Sequence, residues 1–326
     1  MALIKTSLKA ALLGACIFSS SVNAEEVLKL DVCMNDNGLD IKRGDKPLAT
    51  YVFRDETITR PYFTDVFAGE AKLTRNHPPV EGKDATDHAT YHPGIWLSFG
   101  DISGHDYWRL KAKTEHIEFI EEPHVNGGEC RFAVRNRYLS ADGKQTVCEE
   151  VARYRFIALD KTESRILLVW DSVFSSQDGE FHFGDQEEMG LGLRVTTPIV
   201  VDSKQGGHIL NSHGQKNGRE VWGKTAAWCD YGGTNDGRTI GLTLLPHPEN
   251  FRPSWFHARD YGLLLANPFG RKAFGAGPPS KVVVKPGEGL RLRFGVLLYN
   301  VPENQPIDYN VLLDQYVKLA ADSSDK

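Results

Sequence analysis

Beyond about residue 24, the chain alternates between apolar and polar positions over many short stretches, which Gly, Pro, Asn and Asp separate. In residues 291–296, for example, Leu292, Phe294 and Val296 alternate with polar or small residues. Such alternation buries one face of a β-strand and leaves the other in water. It predicts strands at residues 27–33, 46–53, 130–139, 146–159, 165–175, 190–198, 239–245, 262–266, 280–284 and 290–299.

A helical period occurs only near the C-terminus, within residues 308–321, at Val311, Leu312, Tyr316, Val317 and Leu319. Many short strands with few helices are typical of a sandwich or barrel. We find no repeat, linker or low-complexity segment. The sequence therefore predicts an all-β fold, a large antiparallel β-sandwich with a short C-terminal helix, as a single domain over residues 25–326.

The N-terminus resembles an export signal. Lys5 and Lys9 precede an apolar stretch at residues 10–18, and small residues ending at Ala24 follow it. We interpret residues 1–24 as a signal peptide cleaved after Ala24, which predicts a periplasmic or secreted protein. The apolar stretch is too short to span a bilayer as a helix. Residues 13–16 also fit a lipoprotein cleavage box, so lipidation at Cys16 is the alternative.

Charge and cysteine content exclude several classes of protein. The formal net charge of −5 becomes −7 when Lys5 and Lys9 are removed with the signal, so the sequence does not predict a nucleic-acid partner. No later apolar run is long enough to span a membrane. The four cysteines of the mature chain match no zinc pattern. A hairpin that places Cys148 opposite Arg137 predicts no bridge between Cys148 and Cys130.

Four segments interrupt the strand rhythm and collect polar and aromatic side chains: residues 75–108, 183–194, 221–231 and 247–270. They contain five of the six tryptophans. Their Gly and Pro content predicts loops and strand ends, where functional residues concentrate. Aromatic rings stack on the apolar faces of pyranoses, and neighbouring charged groups hydrogen-bond to the hydroxyls. The clustering therefore favours a sugar site, although any single ring is better explained as a core residue.

The candidate catalytic groups are histidines and carboxylates of these segments. In an extended segment His257 shares one face with Trp255 and Arg259, which offers an imidazole for acid or base chemistry beside a ring and a cation. We predict the catalytic residues His257, Glu188, Asp185 and His88. The predicted substrate-binding residues are Trp96, Trp222, Lys224, Asp230, Tyr231, Trp255, Arg259, Asp260, Tyr261 and Arg194. We expect His88, Glu188, Trp222, His257 and Arg259 to converge on one concave surface.

A metal site is the competing interpretation of the first segment. His88 and His92 are four residues apart, a spacing that would place both on one face of a helix as metal ligands. Pro93 and Gly94 end any such helix at once. We therefore expect no cofactor, and keep a divalent metal at His88 and His92 as an alternative.

The same segments resemble a secreted bacterial family to which the label "methane oxygenase PmoA" is commonly attached. Asp87-His88 through Gly94-Ile95-Trp96, followed by Gly100-Asp101, resembles the family's DHPHHRGLW…HGD segment. Residues 188–194, 221–224, 228–231 and 255–270 resemble it too. The label conflicts with this sequence, because the methane monooxygenase subunit of that name is an integral membrane protein. Here the histidines are spread apart, and Pro93 stands where the family has Arg.

That family is similar to galactose-mutarotase-like β-sandwich proteins, so the resemblance implies a supersandwich fold and carbohydrate-active chemistry. We predict an enzyme that acts on a sugar or oligosaccharide by acid/base chemistry, as a lyase, hydrolase or epimerase. Arg259 and Lys224 would neutralise negative charge on its substrate. The alternatives are a non-catalytic carbohydrate-binding protein of the envelope and a metal-dependent oxidase or oxygenase. The oligomeric state is open.

The mature protein should begin at Glu25, because the small residues before Ala24 form the better cleavage site. N-terminal sequencing of protein recovered from the cell envelope or medium tests this. A blocked chain that partitions into membranes and begins at Cys16 would contradict the prediction.

Overall fold

Two large antiparallel sheets pack face to face around the apolar positions of the alternating stretches. The computed structural model of the protein describes residues 30–162 and 164–321. One sheet has nine strands, the other has eight, and residues of both meet in one continuous core that includes Leu30 and Leu298. The predicted all-β sandwich is therefore confirmed. The expected signal peptide and the lipidation site at Cys16 lie outside the described residues.

Numbered along the chain, the first eight strands are β1 (Leu30–Met34), β2 (Gly38–Arg43), β3 (Lys46–Val52), β4 (Tyr62–Thr64), β5 (Phe67–Ala68), β6 (Ala71–Lys72), β7 (Ile95–Phe99) and β8 (Thr114–Asn126). The following strands are β9 (Glu129–Leu139), β10 (Thr146–Ala158), β11 (Arg165–Ser175), β12 (Phe181–Phe183), β13 (Met189–Arg194), β14 (His208–Asn211), β15 (Lys224–Thr225), β16 (Cys229–Asn235), β17 (Arg238–Pro246), β18 (Trp255–Arg259), β19 (Leu263–Asn267), β20 (Val282–Val284) and β21 (Gly289–Pro302). The helices are α1 (Asn217–Val221) and α2 (Tyr309–Ala321), with 3-10 turns at Thr197–Ile199 and Val201–Ser203.

The strand order brings distant parts of the chain together. The nine-stranded sheet has the order β1-β2-β3-β4-β7-β13-β19-β18-β15, and the eight-stranded sheet has the order β14-β16-β17-β21-β11-β10-β9-β8. Helix α2 packs Leu312 and Tyr316 on the outer face of the eight-stranded sheet, against side chains such as Leu297. Among the described residues, no helix is long and apolar enough to cross a membrane.

The predicted strands agree with the observed ones where alternation is regular. Strand β11 has the predicted bounds, β9 and β10 differ from prediction by one residue at one end, and β17 differs by one residue at each end. The predicted C-terminal helix is confirmed as α2. Strand β13 ends at Arg194 rather than at Pro198, because a 3-10 turn follows. The strands without a predicted counterpart are β2, β4, β5, β6, β7, β8, β12, β14, β15, β16 and β18.

The hairpin of β9 and β10 differs from the predicted register by one residue. Cys148 lies opposite Tyr138, and Glu149 takes the expected position opposite Arg137. The cause is an irregularity between Thr146 and Cys148, which inserts one residue into the second strand. The four described cysteines are free thiols, and all except Cys33 are buried.

Gly192 allows a close approach on the outer face of the nine-stranded sheet. An added Cβ at this position would lie 2.9 Å from Cζ2 of Trp96 and 3.2 Å from Cη2 of Trp108. Both indole rings are almost completely buried. A glycine on β13 therefore leaves the space in which these rings lie against the sheet, beneath the candidate site described below.

Gly192→Ala should lower the free energy of unfolding by about 1–3 kcal/mol, because the added methyl group overpacks two buried rings. Gly179→Ala is the control, since an added Cβ there meets no atom within 4 Å; it should change stability by less than about 0.5 kcal/mol. Urea unfolding of both variants measures the difference. Equal stabilities would contradict the proposed close packing.

Candidate functional site

Several predicted site residues lie on the outer face of the nine-stranded sheet, and strand alternation places them there. In β18, Phe256 and Ala258 belong to the core between the sheets. The side chains of Trp255, His257 and Arg259 therefore project to the opposite face. The expectation that these three share a face is confirmed. They form the strand β18, whereas the Gly and Pro content of this segment predicted loops and strand ends.

The register of the sheet forms a row of residues across four adjacent strands. Trp96 of β7, Gly192 of β13, Leu265 of β19 and His257 of β18 lie opposite one another in turn. Loops before and after β7 cover this row. Between loops and sheet lies a cleft of about 130 Å³, lined by His88, Tyr91, His92, Trp108, Arg109, Glu188, His257, Tyr261 and Leu263.

Two buried arginines fix the loops of the cleft by binding main-chain oxygens. Arg75 donates hydrogen bonds of 2.8 Å to the carbonyl oxygens of both Ala85 and Asp87. Arg60 donates a bond of 2.9 Å to the carbonyl oxygen of Trp108. Hydrogen bonds from charged donors are stronger than those between neutral groups. These two buried guanidinium groups therefore hold the backbone of the loops in place.

Arg194, Asp87 and His88 form a hydrogen-bonded chain at one wall of the cleft. The buried guanidinium of Arg194 donates two bonds to the Asp87 carboxylate, of 2.8 Å to Oδ2 and 2.7 Å to Oδ1. Nδ1 of His88 lies 2.9 Å from Oδ2 of the same carboxylate. Burial alone would raise the pKa of Asp87, but the bonds from Arg194 and His88 outweigh it and lower this pKa to about 2.

The ionised Asp87 determines the tautomer of His88. A carboxylate can only accept hydrogen bonds, so the proton of a neutral His88 ring lies on Nδ1. The unprotonated Nε2 then lies on the opposite edge of the ring. The His88 side chain is 47% exposed, so this ring is accessible to a ligand. His88 also has a φ of 49°, which is uncommon for a residue other than glycine.

Four nearly parallel rings extend from the mouth of the cleft to the sheet. His88 stacks between Tyr261, with ring centroids 5.9 Å apart, and His92, at 4.7 Å. His92 stacks in turn on Trp96 at 5.1 Å. Burial, reinforced by Arg194, lowers the pKa of His92 well below its usual range. A neutral His92 can therefore act as a packing layer that fixes the plane of His88.

A second acidic group lies at another side of the cleft. Oε2 of Glu188 accepts a bond of 2.8 Å from Nη2 of Arg109. Arg109 also pairs with Asp106 at 3.2 Å and contacts Gln186 at 3.3 Å. The Glu188 side chain is 29% exposed, so it is partly accessible from the cleft. The cleft therefore combines an imidazole and a carboxylate, each held by an arginine-centred network.

His257 is a poorer candidate for proton transfer than its sequence context predicted. Nε of Arg259 donates to Nε2 of His257 at 2.8 Å, so Nε2 is an acceptor and Nδ1 carries the proton. Nδ1 lies 3.4 Å from the main-chain oxygen of Glu187. Burial, together with Arg259, lowers the pKa of His257 to about 4. The 3.7 Å approach of Nε2 to the Glu187 carboxylate is therefore not an ion pair.

Asp185 does not line the cleft. Its carboxylate accepts hydrogen bonds from three main-chain N–H groups, those of Lys272, Ala273 and Ser280, at 2.6–2.9 Å. This arrangement fixes the loop after β19 and leaves the carboxylate engaged within the protein. Of the four predicted catalytic residues, the cleft brings together His88, Glu188 and His257.

The predicted binding residues divide between the cleft and the interior. Tyr261 lines the cleft, Arg259 adjoins it through its bond to His257, Trp222 lies next to Arg259, and Lys224 is exposed on the edge strand β15. Asp260 accepts a bond from the N–H of Gly218 at the start of α1. The remaining residues are buried in the folded protein: Trp96, Asp230, Tyr231, Trp255 and Arg194.

Asp230 illustrates why composition misplaced some residues. It lies on β16 in the other sheet, and its carboxylate accepts bonds of 2.7 Å from Thr243 and 3.0 Å from Tyr299. Conversely, the prediction did not assign binding roles to Tyr91, Trp108 or Arg109, which line the cleft. Tyr91 and Trp108 belong to the first polar segment, and Arg109 follows it directly. The spacing of these residues in the sequence does not show which side chains face the cleft.

The stacked histidines do not have the arrangement that the metal alternative requires. The planes of His88 and His92 are within 13° of parallel, so their nitrogen lone pairs do not converge. One nitrogen of each ring also faces a protein group, Asp87 or Arg194. Within residues 30–162 and 164–321, no three His, Cys, Asp or Glu side chains are grouped to hold a metal ion.

A larger hollow of about 530 Å³ lies elsewhere, next to Phe53, Arg54 and His116. There Phe53 packs against His116 at 4.6 Å and edge-on against Phe119 at 5.4 Å, so protein covers its ring. Volume alone favours this hollow. We place the candidate site in the smaller cleft, because there an exposed imidazole, His88, is oriented by a carboxylate and Glu188 supplies a second titratable group.

Comparison with known proteins gives a family but no activity. A family model described as "Family of unknown function (DUF6807)" matches residues 38–305. Comparison with curated proteins gave no match. The "PmoA" label is not supported by any of these comparisons.

Similar solved structures include a galactose mutarotase-like protein from Lactobacillus casei ATCC 334, with 12% identity and a TM-score of 0.38 over 83% of this chain and 100% of that one. The YeaD protein of Salmonella typhimurium has 11% identity and a TM-score of 0.36 over 83% of this chain and 94% of that one. The Slr1438 protein of Synechocystis sp. PCC 6803 has 12% identity and a TM-score of 0.34 over 85% of this chain and 96% of that one. Likeness at this level does not bear on function.

Asp87→Asn should lower the free energy of unfolding at pH 7 by about 1–3 kcal/mol, allowing for the partial exposure of Asp87, because it leaves the buried Arg194 without a carboxylate. The pKa of Asp87 is lowered in the folded protein, so its stabilising effect is present above about pH 4 and is lost towards pH 2. Urea unfolding at several pH values should show that the variant loses less unfolding free energy between pH 4 and pH 2 than the unchanged protein does. Asp314→Asn, on the exposed side of α2, is the control; equal effects of the two substitutions would contradict the interaction.

Proposed function

The chain belongs to the family of unknown function DUF6807, and we propose that it is an enzyme acting on a single sugar unit by acid/base proton transfer. The observation that carries this proposal is the Asp87–His88 pair, whose 2.9 Å contact leaves Nε2 of an exposed imidazole unprotonated at the cleft. A histidine with this orientation is suited to act as a general base, and in its protonated form as a general acid.

Glu188 supplies the second group that the chemistry requires. In the proposed reaction, His88 accepts a proton from one position of the sugar and Glu188 acts as the counterpart at another. Arg109 holds the Glu188 carboxylate at 2.8 Å and fixes its direction. His257, whose ring nitrogens both face protein groups, has a supporting position next to Glu187 and Arg259.

The size of the cleft favours one sugar ring over a longer chain. Pockets for drug-sized ligands have about 300–1,000 Å³, whereas this cleft has about 130 Å³. The rings of Tyr91, Trp108 and Tyr261 line it and provide apolar surface. The substrate in this proposal is a free monosaccharide or the terminal unit of an oligosaccharide. An extended platform for non-catalytic binding is less well supported, because Trp96 and Trp255 are buried.

The charges around the cleft favour a neutral sugar. Arg194 pairs with Asp87, Arg109 with Glu188, and Arg259 with Glu187 at 3.2 Å. Each of these guanidinium groups therefore has a carboxylate partner in the protein, and Arg194 shares Asp87 with Arg75, which lies 3.7 Å from it. This disfavours the expected use of Arg259 to neutralise a charged substrate, as in a uronate lyase, and favours an epimerase, mutarotase or exo-acting hydrolase. Action in the periplasm or medium is part of the proposal.

His88→Gln and Glu188→Gln should each reduce turnover by about 10²–10⁴-fold, because each removes one proton-transfer group. The assay is a panel of neutral and acidic mono- and oligosaccharides, with NMR and mass detection of products. An unchanged mass indicates epimerisation or mutarotation, and a gain of water indicates hydrolysis.

The control is His124→Gln, a histidine of β8 with a side-chain exposure of 42%, close to that of His88. It should leave turnover unchanged. If the protein binds a sugar without converting it, or if His88→Gln retains full activity while folded, the proposed chemistry is wrong. Preference for acidic sugars would contradict the charge argument alone.

A further inference from the structure

A second pocket lies beside the candidate cleft and shares a wall with it. The pocket has about 310 Å³, and Tyr261 lines both the pocket and the cleft. Its other walls come from the loop before His88, the end of β13 and the two 3-10 turns, and they include Ala85, Val195 and Val200. The pocket is larger than the cleft, and its volume is at the lower end of the range for small-molecule sites, about 300–1,000 Å³.

Two sets of contacts show how close the pocket lies to His88. The guanidinium of Arg194, which lines the pocket, lies 4.7 Å from the centre of the Tyr261 ring, and the His88 ring centre lies 5.9 Å from it. The Asp87 carboxylate joins the same two residues, with 2.8 Å to Nη1 of Arg194 and 2.9 Å to Nδ1 of His88. The two spaces are therefore close enough to hold two directly linked groups of one ligand.

Hydrogen bonds fix the wall between the two spaces. Tyr261 lies in the short turn between β18 and β19, next to Asp260. The main-chain oxygen of Asp260 accepts a bond of 3.0 Å from the N–H of Asp202, in the second 3-10 turn, and a bond of 2.9 Å from the hydroxyl of Tyr231. The pocket is therefore preformed, and a ligand does not have to order its walls.

The hydroxyl groups of the pocket are already bonded within the protein. Oγ1 of Thr197 donates a bond of 2.6 Å to Oδ1 of Asp84. Oγ of Ser203 donates a bond of 2.6 Å to the main-chain oxygen of Val200. A ligand that offered polar groups to these side chains would have to break existing bonds.

The two arginines of the pocket offer no accessible donor either. Arg194 binds Asp87 at 2.7 Å, and Arg75 binds the main-chain oxygen of Ala85 at 2.8 Å. Their Nε atoms have no partner in the part of the chain that the structure describes, but protein encloses both atoms. The exposed carboxylate of Asp202 adds a negative charge to the pocket and disfavours an anionic ligand.

The surface that remains for a ligand is therefore apolar. It is formed by Ala85, Val200 and Tyr261, which are all exposed or half-buried. We propose that this pocket binds the apolar aglycone of a glycoside whose neutral sugar unit occupies the cleft. The proposal rests on the function proposed above, and it narrows the substrate from any neutral sugar to one linked to an uncharged apolar alcohol.

An aglycone on the anomeric oxygen favours hydrolysis over mutarotation, because mutarotation requires a free anomeric hydroxyl. In hydrolysis the bond between the anomeric carbon and the aglycone oxygen breaks. The hydroxyl of a water molecule bonds to the anomeric carbon, and the remaining proton of that water ends on the aglycone oxygen. The products are the free sugar and the alcohol.

Benzyl alcohol is the probe for the pocket alone. We expect it to shift the methyl signals of Val200 saturably in protein with ¹³C-labelled valine methyl groups, with a dissociation constant of millimolar order for so few atoms. Val200→Ala assigns these signals by their loss. Ala85→Phe should abolish the shift by filling the pocket. Ala227→Phe, at an exposed alanine between β15 and β16, should leave it unchanged. Circular dichroism checks that both variants remain folded.

Methyl and benzyl glycosides of neutral hexoses, deoxyhexoses and pentoses test the link between pocket and cleft. For the sugar that binds, the benzyl glycoside should bind about 10-fold or more tightly than the methyl glycoside, because its ring buries additional apolar surface. It should shift both the Val200 methyl signals and the imidazole nitrogen signals of His88. Ala85→Phe should remove the advantage of the benzyl group and leave the affinity for the methyl glycoside unchanged.

Equal affinity for the two glycosides, with His88 shifted by both, would overturn the proposal and leave the proposed function of the cleft intact. A benzyl preference that persists in folded Ala85→Phe would place the benzyl group elsewhere and also overturn it. If benzyl alcohol shifts Val200 but no glycoside shifts His88 or is converted, the proposed function of the cleft fails, and the assignment of the pocket to an aglycone fails with it.

Discussion

The geometry of the candidate site depends on one buried charge, the guanidinium of Arg194. It is 1% exposed, and two of its nitrogens bind the Asp87 carboxylate at 2.7 and 2.8 Å. A buried charge without a partner is strongly destabilising, so the folded protein must bring the Asp87 loop to this point on the sheet. The two residues are 107 positions apart in sequence. The interaction thus serves the fold and at the same time orients His88.

The nine-stranded sheet places Arg194 beneath the Asp87 loop because successive residues of β13 alternate between its two faces. In β13, Leu191 and Leu193 belong to the core between the sheets, whereas Gly192 and Arg194 face outwards. The absence of a side chain at Gly192 leaves room for buried aromatic rings, and Arg194 projects beside them. Tyr261 covers the guanidinium at 4.7 Å. The outer face is therefore a second packed layer, on which the polar groups of the cleft rest.

Much of the architecture could be predicted from alternation alone, because regular strands with one buried face have a period that is visible in the sequence. Strand β11 shows this most directly, and α2 does so for the helix. Strand β8 was missed because charged residues and Pro123 interrupt its pattern, and the structure accommodates them with three irregularities in its pairing with β9. Strand β18 was missed because its outward residues are aromatic or cationic, as in a loop.

The sequence could predict several of the residues that line the cleft, but not the role of each one. The sequence identified His88, Glu188, His257 and Tyr261, all of which line the cleft. It could not show that Arg259 occupies one nitrogen of His257, or that Asp185 binds main-chain amides, since both depend on contacts within the folded chain. The neighbouring Asp87 was the available signal for His88, because a carboxylate beside an imidazole commonly fixes its tautomer.

The central claim is that Arg194, through Asp87, holds the proton of neutral His88 on Nδ1 and leaves Nε2 free. Two-bond ¹H–¹⁵N correlation spectra of protein with labelled histidine, recorded at a pH where the ring is neutral, measure this tautomer directly. The signals are assigned by their loss in His88→Gln. We predict a protonated Nδ1 and an unprotonated Nε2 for His88. A predominant Nε2–H form, or averaging between both tautomers, would contradict the account.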